Sequence, residues 1–212
     1  INHAFAVGCT LDEIAEKRGV DPAQNLIDML GADRNIDLDS MSTEFWNYEE
    51  SLEEYPWSTA RFKNVIEQVK SMSGWGKAMP AGSGMGIAAH RSFLTYVACV
   101  VEVEVKDGRV KIPKAYYAVD CVVAVNPERI KAQFEGGAVF GTSIALKSKI
   151  TVRQGAVEQS NFHDYQVARM NESPMETEVF IVQSNEKPTG VGEPPVPPFA
   201  PALCNAVYKA TG

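Results

Sequence analysis

The chain has 212 residues, 45% of them hydrophobic and 22% charged, enough apolar material for a buried core and too much for a disordered chain. Twenty-seven acidic against 20 basic side chains give a net charge of −7, and no run of Lys or Arg is present, so nucleic acid is excluded as a partner. No apolar stretch reaches the ~18–20 residues of a membrane span. The chain opens on Ile1 with no charged-then-apolar leader, which we read as the start of a fragment or processed product.

In chain order, Val7, Leu11, Ile14 and Ala15 recur at helical spacing, and Gly19 is placed to end that helix. Asp21-Pro22 starts a second helix, with Asp as cap and Pro at the first position, running to Gly31. Residues 32–57 are acidic and irregular, an exposed connector anchored by Trp46, Tyr48, Tyr55 and Trp57. Ser58 to Met72 is helical again. Beyond it, Gly82-Ser83-Gly84-Met85-Gly86 reads as a flexible approach to a strand. Val101, Val103 and Val105 alternate with Glu102, Glu104 and Lys106, the period of a half-exposed strand, and Asp107-Gly108 marks a hairpin turn. Tyr116 to Val125 is a nearly continuous apolar strand, buried on both faces. Asn126-Pro127-Glu128 caps a helix through Ile144, Thr151–Val157 and Glu178–Val182 are strands, and a last helix begins near Pro198. The fold class is α+β, mixed sheets packed with helices. It divides into a helical lobe with its acidic connector at residues 1–75 and an α+β portion at 76–212. Full burial of Tyr96–Val105 and Tyr116–Val125 is expected to need a partner surface.

Cys9, Cys99, Cys121 and Cys204 lie far apart, without the closely spaced pair that iron–sulfur or zinc sites require, and read as packed thiols. His3, His90 and His163 form no ligand cluster, so no protein-ligated metal is expected. The glycines at 82–86 lack the Lys-Ser/Thr of a phosphate loop, and no G-x-S-x-G elbow supports a hydrolase. Two stretches stand out. In Thr189-Gly190-Val191-Gly192-Glu193-Pro194 a carboxylate follows two glycines, either a general base held at a turn or a solvated Glu in a loop. In Gln133-Phe134-Glu135-Gly136-Gly137 the paired glycines cost a helix about 1 kcal/mol each, so a ligand or another backbone packs closely there.

Those stretches, with Ala118-Val119-Asp120-Cys121, Asn126-Pro127, Asn161-Phe162-His163-Asp164-Tyr165 and Arg169-Met170-Asn171-Glu172, carry a resemblance. The chain resembles, over essentially its full length, the C-terminal part of the molybdenum-binding large subunit of the xanthine oxidase and aldehyde oxidoreductase family. It is most similar to the isoquinoline 1-oxidoreductase beta-subunit branch. The resemblance implies part of the molybdenum-binding domain of a molybdenum hydroxylase, oxidising an aldehyde or N-heterocycle with water as oxygen source. It implies a molybdenum-pterin cofactor, in the molybdopterin cytosine dinucleotide form, with no side-chain ligand to the metal. Glu193 then matches the catalytic base and Gln133 a cofactor-contacting amide. Gly136, Gly137, Gly190, Val191 and Gly192 are then cofactor-binding. Implied partners are the remainder of the large subunit, which carries further cofactor loops missing here, a small subunit with 2Fe-2S clusters, a membrane-bound cytochrome c subunit and a small-molecule substrate. Cytoplasm and periplasm are both open to such enzymes, the branch leaning to the periplasm. Other readings of the same residues are a non-catalytic structural or assembly subunit that kept the fold, and a free-standing α+β ligand-binding domain.

Overall fold

A computed structural model describes residues 1–38, 40–41 and 45–212. Positions 39 and 42–44 of the acidic connector lie outside the described residues. The N-terminal helical pair is α1 (Asn2–Arg18) and α2 (Pro22–Leu30). Helix α1 starts earlier than its apolar spacing announces and ends on Gly19 in the left-handed region. The Asp21 side chain accepts from Gln24 N at 2.8 Å, the N-cap its sequence implies. Ser58 caps α3 (Thr59–Ser73) in the same way, accepting from Arg61 N.

The main sheet contains β1 (Ser83–Ser92), β2 (Thr95–Lys106), β3 (Arg109–Lys111), β4 (Lys114–Asp120) and β7 (Glu176–Ile181). Its order is β1-β2-β4-β7, with β3 pairing the far end of β2. Strands β1, β2, β3 and β4 pair antiparallel, and β7 joins β4 in parallel. That parallel pair needs a long crossover, supplied by α4 (Pro127–Leu146) and the segment after it. The segment includes a small hairpin, β5 (Val152–Arg153) with β6 (Ala156–Val157), where a single strand is expected from sequence. Gln154 and Gly155 both take positive φ at its turn, and the chain reverses there. Helix α5 (Val196–Thr211) closes the chain.

Strand β2 runs through the centre with both faces covered. Val97, Cys99, Val101 and Val103 join Tyr117, Val119, Phe134, Phe199 and Leu203 in the core under α4 and α5. Tyr96, Ala98 and Val100 join Ile87, Val65, Ile66 and Val69 in the core under α3. The α+β class with a mixed sheet is therefore observed, as a layer of strands between two layers of helices. The strands that seemed to require a partner surface are covered by this chain's own helices.

Three further expectations are corrected. Gly84 and Gly86 lie inside β1, where a Cβ would collide with the backbone of α5 at Ala206 and Ala202. These glycines let a helix lie directly on the sheet and do not form a flexible lead-in. Glu102 is buried, 9% exposed, because Lys77 forms an ion pair with it and Tyr116 Oη donates to it at 3.0 Å. The apolar run from Tyr116 leaves the sheet at Asp120, well before Val125. Asp120 accepts from Arg61 Nε and Nη2, both at 2.8 Å, and from Val122 N at 3.2 Å, and Val122 takes φ 65°. That bend turns the chain out, leaving Val125 79% exposed.

Candidate functional site

The Gly190–Glu193 segment is held by the ends of two strands. Gly190 N donates to Phe93 O at 3.0 Å and Thr189 N to Cys121 O at 3.2 Å. Thr95 Oγ1 donates to Gly190 O at 2.6 Å and lies 2.6 Å from Thr189 Oγ1. Phe93 and Leu94, the turn between β1 and β2, both have positive φ (51° and 65°), a conformation costing a non-glycine residue roughly 1–2 kcal/mol. The Thr95, Thr189 and Gly190 bonds hold that strained turn in place. Val191 inserts its side chain into the core under α4 and α5, anchoring the middle of the segment. Glu193 then sits just before α5, its carbonyl accepting from Val196 N at 3.0 Å, and the residue is exposed.

Helix α4 supplies the other side. Asn126 caps it, accepting from Arg129 N at 3.1 Å, with Pro127 in its first turn, so its start is fixed by two adjacent residues. One turn further on, Gln133 Nε2 donates to Gly192 O at 3.4 Å. Gln133 and Glu193, about 60 positions apart in sequence, are thus drawn to one exposed surface.

The glycines divide into two kinds. A Cβ on Gly136 would meet nothing within 4 Å, and one on Gly192 only Gln133 Nε2 at 3.8 Å. The space beside these two is open. A Cβ on Gly137 would lie 2.5 Å from Pro195 Cγ, and one on Gly190 would lie 2.7 Å from Phe93 Cβ. Their close approaches are made to this chain itself: Gly137 seats α4 on the start of α5, and Gly190 seats the loop on the strained turn. Tyr117 Oη, donating to Pro195 O at 3.2 Å, fixes the same point from the sheet. Sequence reading named Gln133, Glu193 and the glycines, with Thr189 in the same motif, but missed Phe93, Thr95 and Tyr117. Each is an ordinary strand or turn residue until the loop is seen resting on it.

Among the described residues no group of three or more His, Cys, Asp or Glu could hold a metal ion, and no helix is long and apolar enough to cross a membrane. A sequence profile described as "molybdopterin cofactor-binding domain" matches residues 29–174. The chain belongs to the molybdopterin cofactor-binding domain family. Over 99% of its length it is 30% identical to the membrane-bound aldehyde dehydrogenase [pyrroloquinoline-quinone] of Gluconacetobacter polyoxogenes. Over 70% of its length it is 34% identical to isoquinoline 1-oxidoreductase subunit beta of Brevundimonas diminuta. It spans 26% and 20% of those two relatives. Among solved structures it is similar to a Cu,Mo carbon monoxide dehydrogenase, at 28% identity over 55% of this chain and 15% of that one, with a TM-score of 0.46.

The surface beside Gln133, Gly136 and Gly192 is open. It offers an amide able to donate and accept, exposed backbone, and free volume where side chains are absent. Glu193 follows Gly192 directly in the chain and is exposed.

Proposed function

We propose that this chain is the base-carrying part of a molybdenum-dependent hydroxylase that oxidises an aldehyde or an N-heterocycle with water as the oxygen source. The observation that supports it is the Gln133–Gly192 hydrogen bond, which brings the amide to the residue next to the exposed Glu193. The bound molybdenum-pterin group, taken as the cytosine dinucleotide form, would supply Lewis acidity and accept two electrons. Gln133 and the backbone at Gly136 and Gly192 would hold it, with Val191 keeping that backbone in place from below. Glu193 takes up, at a carboxylate oxygen, the proton that the attacking oxygen must lose, a role expected to contribute about 10²–10⁴-fold. Phe93, Thr95 and Thr189 keep the base from drifting by fixing the loop that carries it.

In this reading residues 76–212 face the cofactor and 1–75 form a helical lobe. The remainder of the large subunit completes the cofactor site. A small subunit with 2Fe-2S clusters takes the electrons, a membrane-bound cytochrome c subunit passes them on, and the assembly works in the periplasm. Metal and organic-cofactor analysis of the assembled enzyme tests the reading. One molybdenum per copy of this chain, with a released pterin, is expected. An enzyme lacking molybdenum but holding the quinone named for the Gluconacetobacter relative would contradict it.

A further inference from the structure

A cavity of about 680 Å³ lies between α1, α2, α3, the edge strand β1 and the connector, within the ~300–1,000 Å³ span of small-molecule sites. Its walls are apolar and markedly aromatic. Trp57 and Phe62 form the inner wall, ring centroids 5.5 Å apart and nearly perpendicular, and Trp46 forms the rim, 64% exposed. Of the chain's three tryptophans, two line this one cavity.

Its polar lining is cationic or neutral. Arg91 extends from β1 along the wall, its Nη2 donating to Asn47 Oδ1 at 3.0 Å and its guanidinium 5.5 Å from the Tyr96 ring centre. Arg91 Nε is buried and has no hydrogen-bond partner, and among the described residues no carboxylate pairs with this guanidinium. Burial holds its pKa below the usual arginine range, with the nearby tyrosines acting in opposition. An arginine partly withdrawn from water without an anion is costly, since its charge is less well hydrated and is not neutralised. His3 and His90 line the same space and bring no negative charge to it. The missing component is an anion attached to something apolar and flat.

We propose that this cavity binds a small aromatic carboxylate, its ring among Trp46, Trp57 and Phe62 and its carboxylate on the Arg91 guanidinium. The planar guanidinium edge suits a carboxylate geometrically, and the aromatic walls supply the apolar contact that a free inorganic anion would waste. This site goes beyond the reading of the Gln133–Glu193 surface and shares none of its residues.

The test is calorimetric titration of the assembled enzyme with 2-naphthoate, followed also by quenching of tryptophan fluorescence, alongside the neutral analogue 2-naphthalenemethanol. Saturable binding of one naphthoate per chain is expected, with the alcohol weaker by roughly tenfold or more because it cannot satisfy the buried cation. Arg91→Met should bring naphthoate down to the alcohol's affinity, and Ala89→Phe, which fills the cavity while keeping Arg91, should abolish binding of both. Glu193→Gln should leave naphthoate affinity unchanged, which separates this cavity from product binding at the Glu193 surface. Equal affinity for acid and alcohol, no saturable binding, or loss of binding in Glu193→Gln with retention in Ala89→Phe would each overturn the proposal.

Discussion

Gly136 and Gly137 are sequence neighbours in one helix, yet alanine should move stability in opposite directions at the two positions. At Gly136 a Cβ meets nothing within 4 Å, so the substitution collects the helix-propensity gain of about 1 kcal/mol. For a domain near 200 residues that corresponds to a rise in Tm of roughly 2–4 °C. At Gly137 the same gain is opposed by a Cβ lying 2.5 Å from Pro195 Cγ and 2.8 Å from its Cβ, about 1 Å inside the favourable carbon–carbon distance. The Pro195 ring cannot rotate away, and its carbonyl is held by Tyr117 Oη at 3.2 Å. Overpacking of this sort costs about 1–3 kcal/mol, leaving a net loss of roughly 0–2 kcal/mol after the helical gain. The two variants should therefore differ by about 1–3 kcal/mol, a difference that paired urea and thermal unfolding curves resolve. Molybdenum content adds a second reading: Gly136→Ala places a methyl group on the open face beside Gln133 and should lower cofactor retention without loss of fold. Equal stability shifts at both glycines would refute the division into one packed and one open position.

Two further outcomes follow from polar groups away from that surface. Arg61→Ala leaves the Asp120 carboxylate, 6% exposed, without the two 2.8 Å hydrogen bonds that now neutralise it, and should cost about 3–5 kcal/mol in urea unfolding. A loss below about 1 kcal/mol would mean the pair is screened as if at the surface. Burial pushes His90 down to about 4. Because its folded pKa is depressed, the unfolded chain binds the extra proton first, so this contribution to stability is complete above about pH 6.5 and is lost as pH falls toward 4. His90→Gln should flatten the stability profile between those limits, and an unchanged profile would contradict a buried neutral imidazole.

Much of the local structure was legible because local chemistry decides it. Asp21-Pro22, Ser58 and Asn126-Pro127 announce helix starts through caps that the structure shows accepting the expected backbone N–H groups. Asp107-Gly108 announces a hairpin through two residues that tolerate positive φ. Other features depend on partners distant in sequence. Gly84 and Gly86 resemble a flexible loop until α5, more than 100 residues later, is laid on them. Glu102 alternates like a solvent-facing residue, and only Lys77 and Tyr116 explain its burial. The run through Val125 has the composition of a strand, but Asp120 is claimed by Arg61 and the bend at Val122 ends the pairing. At the candidate site, the residues that could touch a cofactor were readable as a motif. Thr95 and the strained Phe93–Leu94 turn that position them were not, since their role exists only in the folded contact.

The account stands or falls on Glu193. Glu193→Gln preserves size and the backbone bond from Val196 N while removing the capacity to accept a proton. Reduction of molybdenum by substrate should be followed in single turnover, with metal content measured on the same preparation and exposed Glu186→Gln as control. Full molybdenum occupancy with reduction slowed by about 10²–10⁴-fold is the predicted result, Glu186→Gln remaining near the unmodified rate. Near-normal reduction in Glu193→Gln, or activity lost only in proportion to lost molybdenum, would contradict it.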